Sequence, residues 1–164
     1  MTLGAYMQLR SQGMAEPRLP EFLQHLGHRL PRLLHRAPRR QQRKRPSPNW
    51  NERPPGCVPD MLVLHYTGMP DANKACRWLC DPVSKVSCHY LVEENGTVIQ
   101  MVDEDMRAWH AGQSFWGGET DINSRSIGIE IHNRGHDGDY PDFPERQMEA
   151  VIALHLGELF PGME

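Results

Sequence analysis

No stretch of the sequence approaches the roughly 18 consecutive apolar residues of a membrane span, which excludes an integral membrane protein. Aromatic residues are few, at 7%, and the mean hydropathy of -0.63 is low for a globular protein. The first residues, MTLGAYMQLRSQGM, lack the apolar segment of a secretory signal peptide, so a cytoplasmic location is expected. The four cysteines are consistent with that location without proving it.

Charge is unevenly distributed along the 164 residues. Residues 1–45 carry ten Lys and Arg against Glu16 and Glu21, a net charge of +8, whereas the rest of the chain carries -11. This contrast predicts a basic N-terminal extension over 1–45 and a domain over 46–164. A domain of that length can bury a hydrophobic core without disulfides.

The basic extension has three interpretations. Its high charge and low hydrophobicity favour a solvated, disordered segment. Alternatively, it contacts nucleic acid or an anionic membrane surface, or it is not translated at all. Since the domain that follows is acidic, an uncharged sugar with a short peptide is a better partner for it than nucleic acid. The sequence does not specify the oligomeric state.

The domain alternates between strand and helix patterns. Short apolar runs bounded by turn residues predict strands, apolar residues at helical spacing predict helices, and Asn95-Gly96 predicts a hairpin turn. The predicted strands are 61–66, 87–92, 97–102 and 126–132, and the predicted helices are 71–79 and 145–156. This order predicts a mixed α/β (α+β) fold with a single central mixed β-sheet flanked by helices.

Candidate functional residues lie at three places in this pattern. His65 ends an apolar strand, and Glu130 lies inside another, where an acid is costly unless it is paired or functional. Trp109 and His110 form a pair just before Gly112. Each has a structural alternative: a strand-end histidine in the core, a salt-bridged acid, or a Trp-His pair that only packs its loop.

A family resemblance rests on RPSPNWNERP, LVLHYTG, VSCHYLVEENGTVIQMV, RAWHAGQSFWGG and NSRSIGIEIHN, in this order. With these motifs and their spacing, the stretch from about 45 to 154 resembles the zinc-dependent N-acetylmuramoyl-L-alanine amidases (amidase type 2), which are related to peptidoglycan recognition proteins. The resemblance covers about two-thirds of the chain. It implies a peptidoglycan recognition protein-like amidase fold and cleavage of the amide between N-acetylmuramic acid and L-alanine.

The resemblance also implies a role for each candidate residue. His65 matches the first ligand of a catalytic Zn²⁺, and Glu130 matches the acid that activates the zinc-bound water. Trp109 and His110 match a loop that edges the substrate cleft, where an aromatic face suits a sugar ring and an imidazole can donate to a substrate oxygen. His89 is expected to be a hydrogen-bonded core histidine or a support for the site. The implied partners are peptidoglycan fragments (muropeptides), in cell-wall turnover or recycling.

The chain departs from the family at its end. The family motif GHxDIAPxRKxDPG, which carries two further zinc ligands and a lysine, has no counterpart before Glu164. We therefore expect a domain that lacks the family's last strand and helix, through a truncated or frameshifted reading frame. His132 and the GHDGD segment at 135–139 are weak candidates for substitute ligands.

Two functions compete for the domain. The first is a zinc amidase acting on muropeptides, which the missing motif would inactivate. The alternative is a non-catalytic module that binds muropeptides through the same cleft. Hydrolysis of a bound muropeptide distinguishes the first from the second.

Overall fold

The computed structural model describes residues 42–159, which fold as alternating strands and helices. The strands are β1 (Gln42–Lys44), β2 (Trp50–Glu52), β3 (Met61–Tyr66), β4 (Tyr90–Val92), β5 (Val98–Gln100), β6 (Met106–Ala108) and β7 (Ser126–Ile131). The helices are α1 (Ala72–Leu79), α2 (Ile122–Arg125) and α3 (Glu145–Leu159), with a 3-10 turn over Gly135–Gly138.

Five strands form a mixed sheet in the order β1-β5-β4-β7-β3. Strand β7 pairs in parallel with β3 on one side and β4 on the other, β4 pairs antiparallel with β5, and β1 pairs in parallel with β5. Strands β2 and β6 form a separate antiparallel pair. In the described part of the chain, β3 is therefore an edge strand of this sheet, and β7 is its neighbour.

Strand β7 carries isoleucine side chains on one face and small or acidic residues on the other. Ile127, Ile129 and Ile131 pack with Met148 and Val151 of α3 in one hydrophobic core. Successive strand residues point to opposite faces of a sheet, so Ser126, Gly128 and Glu130 lie on the other face. A second core covers that other side, in which Cys76 and Leu79 of α1 pack with Cys88, Leu91, Ile99 and Met101. The sheet thus lies between helices.

Local signals explain where the main elements begin and turn. Asp71 is the N-cap of α1, because its side chain accepts a hydrogen bond from the Lys74 backbone N–H at 2.8 Å. The turn between β4 and β5 contains Gly96 at a φ of +84°, and the Gly96 backbone N–H donates to the Glu93 carbonyl. The hairpin predicted at Asn95-Gly96 is confirmed.

The structure confirms the predicted mixed sheet flanked by helices. It also contains β1, β2, β6 and α2, which the apolar pattern did not predict because these elements are three or four residues long. Within the proposed extension over 1–45, residues 42–44 form β1 of the main sheet, so ordered structure begins before residue 46. Residues 1–41, on which the rest of that prediction falls, lie outside the described residues.

Over 42–159, no helix combines the length and the apolar character that crossing a membrane requires.

Candidate active site

Glu130 is a buried acid without a described partner. Its side chain is 1% exposed, and neither carboxyl oxygen has a hydrogen-bond partner among the described residues. Burial raises the pKa of this carboxyl to about 8. An unpaired acid in a protein interior costs free energy, and such groups concentrate at functional sites.

His65 lies beside Glu130 across the sheet. The two residues are register partners on the parallel strands β3 and β7, so they share a face of the sheet. His65 is 8% exposed, and burial lowers the pKa of its imidazole to about 4, which leaves the ring neutral at pH 7. Two of the sequence-predicted residues are thus brought together by strand pairing.

His110 connects His65 to the start of β7. Its Nδ1 lies 3.1 Å from Nε2 of His65, and its Nε2 lies 3.1 Å from the Ser126 hydroxyl. The side chain is 1% exposed, and burial is the main reason that its pKa lies well below the usual histidine value. Both ring nitrogens of His110 are therefore engaged within the protein. Neither is free to donate to a substrate oxygen, contrary to the expectation from the sequence.

Two residues fix the position of His110. Gly128 leaves room for the ring, because a Cβ at position 128 would overlap it, 2.7 Å from Nδ1. The side-chain oxygen of Asn123 accepts hydrogen bonds from the backbone N–H groups of His110 and Ala111, at 3.0 and 2.8 Å. The hydrogen bonds to Asn123 hold the His110 backbone in place, and the absence of a side chain at 128 lets the ring pack against β7.

Trp109 lies at the surface next to this cluster. Its backbone N–H donates to Ser87 at 2.8 Å, and its indole N–H donates to the Asn51 side chain at 2.6 Å. The ring is half-buried. A groove of about 550 Å³ lies along the loop that follows Trp109. It is lined by Arg107, Gly112, Gln113, Ser114, Phe115, Thr120 and Asp121. His65 and Glu130 do not line this groove.

Three further histidines in the described part of the chain have structural partners. His89 is fully buried; its Nδ1 accepts from the Gly128 backbone N–H at 2.9 Å, and its Nε2 lies 3.1 Å from the Met106 carbonyl. This confirms the expectation of a hydrogen-bonded core histidine. His132 lies 3.1 Å from the Thr67 hydroxyl, and His136 pairs with its neighbour Asp137 on the surface.

In the part of the chain that the structure describes, no three His, Cys, Asp or Glu side chains form a group that could hold a metal. A catalytic zinc keeps three protein ligands. The described residues, which offer His65 as an imidazole and Glu130 as an orphaned acid, do not by themselves fit that ion.

The residues that hold His110 in place were not among the candidates from the sequence. Ser126, Gly128 and Asn123 all contact His110, and none was singled out. A signal was present in the segment SIGIEI, where Ser, Gly and Glu alternate with three Ile. This period of two marks one face of β7 as different from its core face, although the strand is buried on both sides.

Comparison with known proteins gives a consistent answer. The family model for N-acetylmuramoyl-L-alanine amidase (Amidase_2) matches residues 53–157. The 1,6-anhydro-N-acetylmuramyl-L-alanine amidase AmpD of Escherichia coli (strain K12) is 34% identical over 126 residues, which make up 66% of this chain and 68% of AmpD. The crystal structure of a selenomethionine AmpD derivative has a TM-score of 0.62 at 28% identity, covering 74% of this chain and 76% of that one.

A second relative covers a smaller region. The N-acetylmuramoyl-L-alanine amidase AmiD of Escherichia coli (strain K12) is 40% identical over 106 residues, which are 57% of this chain and 37% of AmiD. A structure of AmiD with the substrate anhydro-N-acetylmuramic acid-L-Ala-D-gamma-Glu-L-Lys has a TM-score of 0.54 at 35% identity, covering 66% of this chain and 48% of that one. Both solved structures have the fold seen here.

Proposed function

The chain belongs to the N-acetylmuramoyl-L-alanine amidase family, and from that premise we propose that it hydrolyses the amide between N-acetylmuramic acid and L-alanine in muropeptides. The substrate class is supported by the AmpD and AmiD relatives, of which one is named for a 1,6-anhydro substrate and the other was solved with an anhydro-N-acetylmuramic acid peptide. The matched region spans 68% of AmpD and 37% of AmiD.

The observation that carries the proposal is the environment of Glu130. An acid that is 1% exposed and lacks a described partner is costly for stability. Its pKa of about 8 places proton uptake and release near neutral pH, as general acid–base catalysis requires. We propose that Glu130 takes the proton of the attacking water and delivers it to the leaving amine.

The other candidate residues have positioning and binding roles in this proposal. His65 supplies a neutral imidazole on the same sheet face as Glu130. Trp109 offers a half-buried aromatic ring, which suits a sugar ring, and it lies in sequence between Arg107 and Gly112, which line the groove. His110 is assigned to support of His65, since both of its ring nitrogens are hydrogen-bonded.

Zinc is part of the proposal because the family resemblance implies it. The described residues offer only His65 among the implied ligands, so the other ligands would come from side chains that the structure does not describe or from a second chain. The cytoplasmic location stays a prediction.

A direct test measures release of the peptide from anhydro-N-acetylmuramic acid-L-Ala-D-gamma-Glu-L-Lys by mass spectrometry, with and without added zinc. We expect hydrolysis by the wild-type chain and a loss of at least about 100-fold in Glu130→Gln, the size of a general acid–base contribution. The exposed Glu52 on β2 provides a matched control, and Glu52→Gln is expected to keep wild-type activity. Unchanged hydrolysis in Glu130→Gln would remove Glu130 from the mechanism.

A second function is favoured by the incomplete donor set. If the described residues and the rest of the chain hold no zinc, the domain would bind muropeptides without cleaving them. Calorimetric binding of the same peptide, without product in the mass spectrum, would establish this binding function and overturn the amidase proposal.

A further inference from the structure

Strand β3 has one neighbour in the described part of the chain, which is β7. The direction of its backbone groups follows from the bonds at the end of β7. The His132 N–H, just after β7, donates to the Val92 carbonyl of β4 at 2.8 Å. The preceding carbonyl, that of Ile131, accepts from the Thr67 N–H on the β3 side at 3.2 Å. Even-numbered residues of β7 therefore bond to β4, and odd-numbered residues bond to β3.

The same alternation runs along β3. Its odd-numbered residues share the direction of Thr67 and bond to β7. Three residues then have backbone N–H and C=O groups that point to the open edge: Leu62, Leu64 and Tyr66. This set is bounded on both sides, because the N–H groups of Asp60 and Gly68 donate back to carbonyls of Arg125 and Asn133, which flank β7.

The open edge of β3 lacks the features that keep edge strands apart. Its residues, MLVLHY, include no Lys, Arg, Asp, Glu or Pro, and they pair with β7 without a bulge. The opposite edge of the sheet is β1, which is three residues long, fully exposed and carries Arg43 and Lys44. Charges on an edge strand oppose pairing with another chain. Of these two edges, β3 is therefore the one at which the sheet can be extended.

We propose that β3 pairs antiparallel with β3 of a second copy of this chain, which joins the two five-stranded sheets in a symmetric dimer. A two-fold axis perpendicular to the sheet keeps every side chain on its own face, so even-numbered residues lie opposite even-numbered residues. With the axis at Leu64, this residue lies opposite Leu64 of the second copy, and Leu62 lies opposite Tyr66. This register uses all of the outward backbone groups, because directly opposed residues of a hydrogen-bonded pair exchange both bonds.

The side chains favour the same partner. Leu62 and Leu64 pack against the core between β7 and α3, yet both are only partly buried. In the symmetric register, each of them meets an apolar or aromatic side chain of the second copy on this face, and burial of apolar surface drives association. The strand that matches this edge in length, in hydrogen-bond direction and in lack of charge is β3 itself.

Pairing of β3 with β1 of another copy is disfavoured. It would place Arg43 and Lys44 beside an apolar strand, and β1 offers only three residues. Such a contact is heterologous, so it would add copies without closing unless the rotation formed a ring. The symmetric contact closes after two copies.

The dimer is tested first on the full-length wild-type chain by size-exclusion chromatography with light scattering and by hydrogen exchange followed by NMR. We expect a mass of about twice the 18.8 kDa of one chain. The N–H groups of Leu62, Leu64 and Tyr66 should exchange slowly in the dimer and faster on dilution. A monomer throughout the micromolar range, or assemblies larger than two copies, would overturn the proposal. Slow exchange of these N–H groups in a monomer would also overturn it, because another segment of the chain would then cover the edge.

Variants at the axis test the register. Leu64→Lys and Leu64→Glu each place like charges directly opposite one another, so each variant alone should be monomeric. An equal mixture places Lys opposite Glu, and the dimer mass should return. The matched control is Leu62→Lys, because Leu62 has the same partial burial on the same face but lies opposite Tyr66. It is expected to remain dimeric.

The mixing experiment separates pairing from folding. Variants that merely fail to fold would not regain the dimer mass on mixing, and circular dichroism checks the fold of each one. A folded Leu64→Lys variant that is dimeric by itself, or a mixture of folded variants that stays monomeric, would overturn the proposal. The wild-type measurements need no variant, so they decide the question even if the Leu64 variants do not fold.

The dimer and the proposed function can fail independently, because neither Glu130 nor hydrolysis enters the pairing of β3. Hydrolysis of the muropeptide by a monomeric chain would overturn the dimer and leave the amidase proposal in place. A dimer of the expected register without hydrolysis would do the reverse.

Discussion

Gly128 on β7 lies directly beneath the imidazole ring of His110. A Cβ at this position would overlap the ring, 2.7 Å from Nδ1. The two residues are also joined through His89, whose Nδ1 accepts from the Gly128 backbone N–H and whose ring lies edge-on to His110 at a centroid distance of 5.8 Å. The absence of a side chain at 128 therefore determines where the site histidine can lie.

Gly128→Ala should consequently displace His110 and break its contact with His65. We expect a loss of about 1–3 kcal/mol in the free energy of unfolding, which is typical of overpacking in a dense core. Urea denaturation measures this loss, and the amidase assay should show reduced hydrolysis. Ile129→Val on the opposite face of β7 is the control, since it perturbs the same strand without touching His110. Wild-type stability and activity in Gly128→Ala would contradict the described packing.

Glu130 should make the metal-free protein less stable as the pH rises. Its folded pKa of about 8 exceeds the ordinary glutamate pKa of 4.5, so between these values the folded state holds a proton that the unfolded state has released. The free energy of unfolding therefore falls with rising pH across this window. We expect Glu130→Gln, which cannot ionise, to be more stable than wild type at pH 8, by a few kcal/mol at most.

The Glu130 prediction is checked by chemical denaturation in chelator at pH 5.5 and pH 8. His65 and His89 oppose the trend at low pH, because burial lowers each pKa to about 4 and their contribution is lost as the pH falls from 6.5. Both proteins contain these histidines, so their effect cancels in the difference. A stability difference between Glu130→Gln and wild type that does not grow with pH would refute the described burial of the acid.

Gln147 joins α3 to the sheet. Its fully buried side-chain amide donates to the Val92 and His132 backbone carbonyls, at 3.0 and 2.7 Å. Gln147→Glu would place carboxyl oxygens against two carbonyls, whereas Gln147→Met removes both hydrogen bonds without adding charge. We expect the Glu variant to be the less stable at pH 8, by about 1–3 kcal/mol, and the gap to narrow as the carboxyl protonates. Denaturation curves of the two variants at pH 5 and 8 test this prediction. Equal stabilities of the two variants at both pH values would contradict it.

Zinc binding, if it occurs as proposed, should depend on His65. We expect His65→Ala to lower the zinc retained after dialysis, measured by elemental analysis, because the variant lacks the implied zinc ligand found among the described residues. His136→Ala is the control, since His136 is exposed and paired with Asp137. Zinc content equal to wild type in His65→Ala would exclude His65 as a ligand, and loss of zinc in the His136 variant would point instead to the 135–139 segment.

Sequence patterns predicted the main elements well where apolar residues recur. The run at β3, the Asn95-Gly96 hairpin and the helix that begins at Glu145 were all located, because burial and turn chemistry act locally. The pair of β2 and β6 was missed. Those strands are three residues long, and Trp50 in β2 finds its register partner Ala108 far along the chain.

By itself, the sequence determined the candidates for the chemistry: an acid inside an apolar strand and a histidine at the end of another attract attention, since burial of polar groups is costly. Only the tertiary structure decided how they are arranged. Parallel pairing of β3 and β7 makes His65 and Glu130 neighbours. The inward position of His110, within hydrogen-bond distance of Ser126 and His65, also depends on the tertiary structure. The partners of its ring and the space above Gly128 come from segments that are distant in the sequence.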